Sequence, residues 1–350
     1  MESLDHAFAS DNTAGLCPEA AAALASANSG HAPSYGDDPL TAHAKAQFAK
    51  IFECECEVFF VFNGTAANAL ALAACGGAPH TRAICHAEAH VETDECGAPE
   101  FFSGGAKLTP VAGADAKLAP AAVEEALHRG HGVHFPRAAA LSLTQATEHG
   151  TVYSPEEIRA LATTAHEAGL AVHMDGARFA NAAATLRLRG VSPADTTWRA
   201  GVDVLCFGGT KNGLLATEAV VFFNRSLARD FEYRVKQGGQ LSSKMRFAAA
   251  QWLAVLEAEA WLTHAARANA LAAQLAASLR KIPGVKLLRP VEANAVFVQL
   301  SEPVYAALSQ RWSFHRFIGA DGYRLMCSWA TRPESIDRFV ADARAVLANT

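Results

Sequence analysis

Long apolar runs are missing from this chain. No stretch of its 350 residues reaches the roughly 20 consecutive apolar positions that a membrane helix needs, so no membrane partner is expected. Dense basic runs are missing too. With 30 Lys+Arg against 35 Asp+Glu the net charge is −5, which argues against nucleic acid as a partner. A disulfide or metal framework is also lacking. The eight cysteines (17, 54, 56, 75, 85, 96, 206 and 327) are scattered, and the C-x-C of Cys54 and Cys56 has no matching second half. They read as reduced thiols. The opening MESLDHAFASDNTAG has neither the basic nor the apolar region of a signal peptide. Together these absences point to a cytoplasmic protein. No internal repeat and no low-complexity linker is visible.

What is present suits a soluble globular chain: 51% hydrophobic and 19% charged residues, enough to bury a large core. The length allows two domains, or one large α/β domain with a smaller appendage. Abundant alanine favours helices while adding little buried area.

After the first 50 residues the pattern alternates. VFFVF (Val58–Phe62) is a continuous apolar run of strand length that stops at Asn63-Gly64-Thr65 and enters the helical AANALALAAC. RAICHAEAH and RAAALSLTQAT read as further strands. In SPEEIRALATTAHEAG, Ser154 suits an N-cap, Pro155 the first helical position, Glu157 a capping box and Gly169 the C-terminal cap. LAVHMD, VDVLCFGG and AVVFFN follow as strands. Such alternation predicts a mostly parallel sheet covered on both faces. From about Phe247 a long helical region runs to about Lys281. Short strands GVKLLR, NAVFVQL and YRLMCSW follow, and a helix from Pro333 closes the chain. The expected organisation is a large domain over 15–246, a small C-terminal α+β domain over 247–350, and a segment 1–14 packing with the small domain.

Ligands of a parallel α/β sheet gather outside the C-terminal ends of its strands, and three such ends carry polar chemistry. Asn63-Gly64-Thr65 opens a helix, whose free N–H groups and dipole suit a phosphate. Asp175 ends LAVHMD, with Arg178 three residues on; a charge there is costly to desolvate unless something pairs with it. Lys211 follows VDVLCFGG and could act as a Schiff-base nucleophile if its neighbours lower its pKa, or be a solvated surface lysine. In combination these are the three anchors of pyridoxal phosphate: a phosphate site, a carboxylate for the ring nitrogen and a lysine for the carbonyl carbon. His86, Glu88 and His90 form an H-x-E-x-H run that strand alternation would put on one face. No third ligand completes it, so no metal is expected, and one of the rings could instead stack on a planar cofactor. His128, His131 and His134 read as solvated. His173 shares a strand face with Asp175, as support for the acid or as a packed histidine.

Taken together, the chain resembles the low-specificity L-threonine aldolases, in the β-eliminating lyase branch of the fold-type-I pyridoxal-phosphate enzymes. The resemblance runs through SDNTAG (Ser10–Gly15), YGDDP (Tyr35–Pro39), FNGTAAN (Phe62–Asn68), His90, HMDGAR (His173–Arg178), GGTKNG (Gly208–Gly213) and Arg324. It implies a seven-stranded sheet in the large domain and gives each site residue a role. Lys211 looks like the lysine holding the cofactor as an imine, and Asp175 like the partner of the pyridine nitrogen. Gly64 and Thr65 resemble the phosphate cup, and His90 the histidine that stacks on the ring and handles a proton near the β-hydroxyl. Ser10, Arg178 and Arg324 look like binders of the substrate carboxylate, and Arg178 is open as a cofactor ligand facing the ring oxygen. Tyr35 lies in a loop that, in the family, reaches a neighbouring subunit's site, so a homo-oligomer, dimer or tetramer, is implied.

The implied reaction is retro-aldol cleavage of threonine, allo-threonine or a related β-hydroxy-α-amino acid such as phenylserine, to glycine and an aldehyde. The alternatives are a β-lyase or aminotransferase on the same cofactor, or a descendant that only binds it. TQATEHG, with Gln145, Thr147 and Glu148, departs from the Asn-Thr-His segment of many relatives. Lys236, Lys244 and Arg246 in KQGGQLSSKMRF are each open as a further phosphate ligand.

Overall fold

Apolar strands separated by alanine-rich helices build a seven-stranded sheet from β1 (Glu57–Val61), β2 (Thr81–His86), β3 (Lys107–Val111), β4 (Arg137–Thr144), β5 (Ala171–Gly176), β6 (Val204–Phe207) and β7 (Glu218–Phe222). The computed structural model describes residues 4–348; residues 1–3, the start of the expected N-terminal segment, and 349–350 lie outside the described residues. The strand order is β1-β7-β6-β5-β4-β2-β3. β3, β2, β4, β5 and β6 run parallel, while β7 is antiparallel to both of its neighbours. The mostly parallel sheet read from the alternation is present. Its two faces follow the period of two. Leu205 and Phe207 pack with Phe48, Phe52 and Trp252 on one side, and Val204 and Cys206 with Leu70 and Phe222 on the other.

A second sheet, in the order β10-β11-β9-β8, is antiparallel throughout. It comprises β8 (Lys286–Leu287), β9 (Ala295–Gln299), β10 (His315–Ile318) and β11 (Gly322–Met326). Its core joins Leu275, Val296, Tyr323 and Phe339 to Phe8. The N-terminal segment is tied there by backbone bonds: Asp5 N donates to Arg311 O at 2.8 Å, and Met326 N to Phe8 O at 2.9 Å. That anchorage carries Ser10 and Asp11 towards the large sheet.

Three local readings differ from the structure. RAICHAEAH is a strand only as far as His86; His86 Nδ1 accepts the Glu88 N–H at 3.1 Å, the chain turns, and His90 opens the helical turn His90–Thr93. His86, Glu88 and His90 therefore do not share a strand face. The helical region after Phe247 is two helices, Arg246–Glu257 and Ala260–Leu279, parted where Glu259 takes a left-handed φ of 49°. Trp252, Val255, Trp261 and Ala265 belong to the large core, and Leu271 to Leu279 to the second core. GVKLLR pairs only over Lys286–Leu287, and β10, four residues long and largely exposed, is too short to show an apolar pattern. The Ser154 capping box is in place: Glu157 N donates to Ser154 Oγ at 3.2 Å and Ser154 N to Glu157 Oε2 at 2.7 Å. No described helix is long and apolar enough to cross a membrane.

Candidate active site

After the helices α1 (Pro18–Ala27) and α2 (Pro39–Phe52) comes α3 (Gly64–Ala74), and the C-terminal ends of β5 and β6 meet its N-terminus around a cavity of about 230 Å³, whose wall includes Asn63, Gly64, Thr65, Asn68, His90, Asp175, Lys211 and Glu218. Asn63 caps α3 by accepting the Ala66 N–H at 2.8 Å. The N–H groups of Gly64 and Thr65 precede the first intrahelical bonds and point out of the helix end. A Cβ on Gly64 would meet nothing within 4 Å, so the turn faces open space. The lysine loop comes close to β5 because position 208 is glycine: a Cβ there would lie 2.3 Å from Ala177 O.

Asp175 is buried and has two neutral donors. Oδ1 accepts the Ala177 N–H and Oδ2 the Asn68 side-chain amide, both at 2.9 Å. No cation of the described residues bonds to it. His173 is not its support: its Nδ1 meets Ser142 Oγ at 2.9 Å and its Nε2 Cys206 Sγ at 3.3 Å. Burial lowers the His173 pKa to about 4, so it is a neutral packed ring.

Lys211 has no hydrogen-bond acceptor among the described residues. Burial, and then the positive charge of Arg178, lower its pKa from the ordinary lysine value, which favours the free amine a nucleophile needs. Glu218 stands beside it, taking the N–H groups of Gly209 at 2.5 Å and Thr210 at 3.4 Å. Burial raises the Glu218 pKa to about 7.

His90 is held on two sides. Its Nδ1 is 2.9 Å from Glu95 Oε1 and its backbone N–H donates to Glu148 Oε1 at 3.0 Å. The Glu95 contact is the main cause that raises the His90 pKa, whereas burial raises that of Glu148 to about 7.

The remaining sequence candidates lie outside the cavity wall. Arg178 forms a two-pronged pair with buried Asp11, Nε to Oδ2 at 2.7 Å and Nη2 to Oδ1 at 2.9 Å. Arg324 Nε is buried without a partner; burial, and then Arg178, lower the Arg324 pKa to about 10. Its guanidinium sits 4.5 Å from the Phe317 ring centroid. Ser10 Oγ accepts the Asn12 N–H at 3.1 Å, and Asn12 does line the cavity. Tyr35 is half exposed with a left-handed φ of 60°, its ring under Lys236 Nζ at 5.1 Å. Arg246 lies over Phe247, and neither it, Lys236 nor Lys244 is in the wall. From that segment Gln240 Oε1 takes the Phe62 N–H at 2.9 Å, at the edge of the phosphate turn.

The model of the β-eliminating lyase family matches residues 7–303. The chain is 54% identical to a low specificity L-threonine aldolase of Pseudomonas sp. and 55% identical to one of Pseudomonas aeruginosa, over 97% of this chain and of each relative. The chain belongs to the β-eliminating lyase family. In structure it is similar to the threonine aldolase of Leishmania major, at a TM-score of 0.91 and 28% identity, covering 98% of this chain and 100% of that one.

The family depends on pyridoxal phosphate, and the donor set fits that group. A carboxylate with only neutral donors, a lysine with no acceptor and an open helix N-terminus share one cavity. Sequence reasoning missed Asp11, Asn68, Glu95 and Glu218. Asp11 and Asn68 lie within the quoted SDNTAG and FNGTAAN, but neither offers a pattern of its own to read.

Proposed function

We propose that the protein cleaves the Cα–Cβ bond of L-threonine, L-allo-threonine or a related β-hydroxy-α-amino acid, releasing glycine and an aldehyde. The observation that carries this reading is the meeting of Asp175, Lys211, His90 and the α3 N-terminus in one cavity, with Arg178 and Arg324 beyond its wall. When bound there, pyridoxal phosphate supplies a carbon that captures the substrate amine and a protonated ring that takes up the electron pair of the broken bond.

The chain's own groups do the rest. Gly64 and Thr65 offer N–H groups to the phosphate, and Asp175 holds the proton on the ring nitrogen. Lys211 presents its amine to the carbonyl carbon. Arg178, oriented through Nε and Nη2 by Asp11, joins Arg324 and Ser10 in fixing the substrate carboxylate, which sets the angle of the scissile bond. His90 takes the β-hydroxyl proton. We also infer a homo-oligomer, dimer or tetramer, working in the cytoplasm. The exposed Tyr35 loop supports the first, and the free thiols the second.

A panel of threo and erythro β-hydroxy-α-amino acids with product identification tests the reaction. Glycine and the matching aldehyde are expected. Pyruvate or another 2-oxo acid would overturn it in favour of a β-lyase or aminotransferase.

A further inference from the structure

The sequence and the family leave unexplained why two polar atoms beneath the site are buried without partners: Glu95 Oε2 and Asn68 Oδ1. Buried polar atoms of this kind are uncommon and call for a reason. Both residues are spending their other atoms on the same task. Glu95 Oε1 holds His90 Nδ1 at 2.9 Å and also accepts Asn68 Nδ2 at 2.9 Å. The same Asn68 Nδ2 donates to Asp175 Oδ2 at 2.9 Å. One amide nitrogen therefore bridges the two carboxyls, and a single unbroken chain runs His90–Glu95–Asn68–Asp175.

We propose that Glu95 and Asn68 are positioning residues that tie the protonation of His90 to the carboxylate of Asp175. The inference rests on the roles given to His90 and Asp175 above. A carboxylate accepting from Nδ1–H fixes the imidazole tautomer and leaves Nε2 as the lone pair that can take the β-hydroxyl proton. In that step the O–H bond breaks, an Nε2–H bond forms, the electron pair stays on oxygen, and Glu95 balances the imidazolium. Burial, and with it the charge of Asp175, raises the Glu95 pKa, while the bonds from His90 and Asn68 pull it back; Asn68 thus favours the charged form of Glu95 beside Asp175.

The other groups facing His90 do not replace Glu95. Asp94 is 3.7 Å from Nε2 with a side chain 83% exposed, where solvent screens it. Glu148 touches only the backbone N–H. Asp175 and Lys211 act on the ring from a distance and with opposite sign.

The test is the titration of His90 in the holoenzyme, followed by NMR of ring-labelled histidine and assigned by the resonance lost in His90→Asn. Glu95→Gln is expected to lower the midpoint by about 1 pH unit or more, the size of shift a neighbouring opposite charge produces. Asn68→Ala should lower it by less, because Glu95 then holds its charge less well. The double variant should fall no further than Glu95→Gln alone, since the two act through one path. The acid limb of the kcat/KM profile should move to lower pH with the midpoint.

An unmoved His90 midpoint in Glu95→Gln overturns the proposal, as do strictly additive shifts in the double variant. Should Glu95→Gln fail to fold, an unmoved midpoint in Asn68→Ala refutes it equally. A wild-type protein that makes no glycine from any β-hydroxy-α-amino acid sinks the aldolase reading, while the titration still judges the chain of contacts.

Discussion

Removing the carboxylate of Asp11 tests whether the N-terminal segment is part of the site. Asp11 is 1% exposed and its partner Arg178 has a side chain 15% exposed, at 2.7 Å. Asp11 Oδ2 also takes the Asn294 amide at 3.1 Å. Asp11→Ala leaves a guanidinium in a largely dry place with two donors unmet. Breaking a buried pair from one side costs about 3–5 kcal/mol; the slight exposure of Arg178 argues for about 3. Burial pulls the Asp11 pKa up, but the charge and hydrogen bonds of Arg178 outweigh it and hold the group below its ordinary value. A depressed carboxyl stabilises the fold above its unfolded pKa of about 3.9 and loses that contribution as pH falls through the lower folded value. The deficit of the variant should therefore be complete at pH 7 and begin to close only below about pH 4. Urea unfolding of the two holoenzymes, across pH, measures this. The freed Arg178 should also raise KM for the amino acid, with visible cofactor absorption retained. A deficit below about 1 kcal/mol at pH 7, or one that grows on acidification, would refute the reasoning.

Lys211→Ala should abolish both turnover and the long-wavelength absorption of the bound cofactor; retention of either shows that another group holds it. Gly208→Ala puts a Cβ 2.3 Å from Ala177 O, a backbone contact that cannot yield cheaply, so a loss of about 1–3 kcal/mol and weaker cofactor retention on dialysis are expected. Glu218, raised to about 7 by burial, adds stability that is complete below its unfolded pKa and is lost as pH rises through about 7. Glu218→Gln should therefore flatten the fall in Tm between pH 5 and pH 8; an unchanged slope would show that Glu218 is not the group responsible.

How far the chain could be read follows from where the information sits. The sheet was legible because Val58–Phe62 and Val204–Phe207 are unbroken apolar runs, and the Ser154 helix because its cap is written within four residues. RAICHAEAH misled because its alternation continues beyond His86, where the turn is set by the His86 ring taking the Glu88 N–H. The break at Glu259 was hidden in residues that are all good helix formers. Lys211, Asp175 and Gly64 were legible from their places at strand ends. Asp11 was not, since its partner Arg178 is 167 residues away, and Asn68 reaches Asp175 across 107. Contacts of that range leave no periodic trace.

The charges around the cavity explain why those missed residues matter. Asp11 cancels Arg178, and burial lowers the pKa of Lys211. Glu148 and Glu218 both have pKa values near 7, so each can shed its charge at modest cost. Glu95 is answered by His90. What remains is Asp175, whose donors are an amide and a backbone N–H. A buried carboxylate so placed is stabilised only weakly by neutral donors and strongly by a cation. The cation that would fit is the protonated ring nitrogen of the cofactor, in the cavity whose wall also carries Lys211 and the Gly64–Thr65 turn. Replacing Asp175 with Asn should therefore weaken cofactor binding and remove the protonated-ring spectrum together. An Asp175→Asn protein that binds the cofactor as tightly and with the same spectrum would show that the acid serves the fold alone.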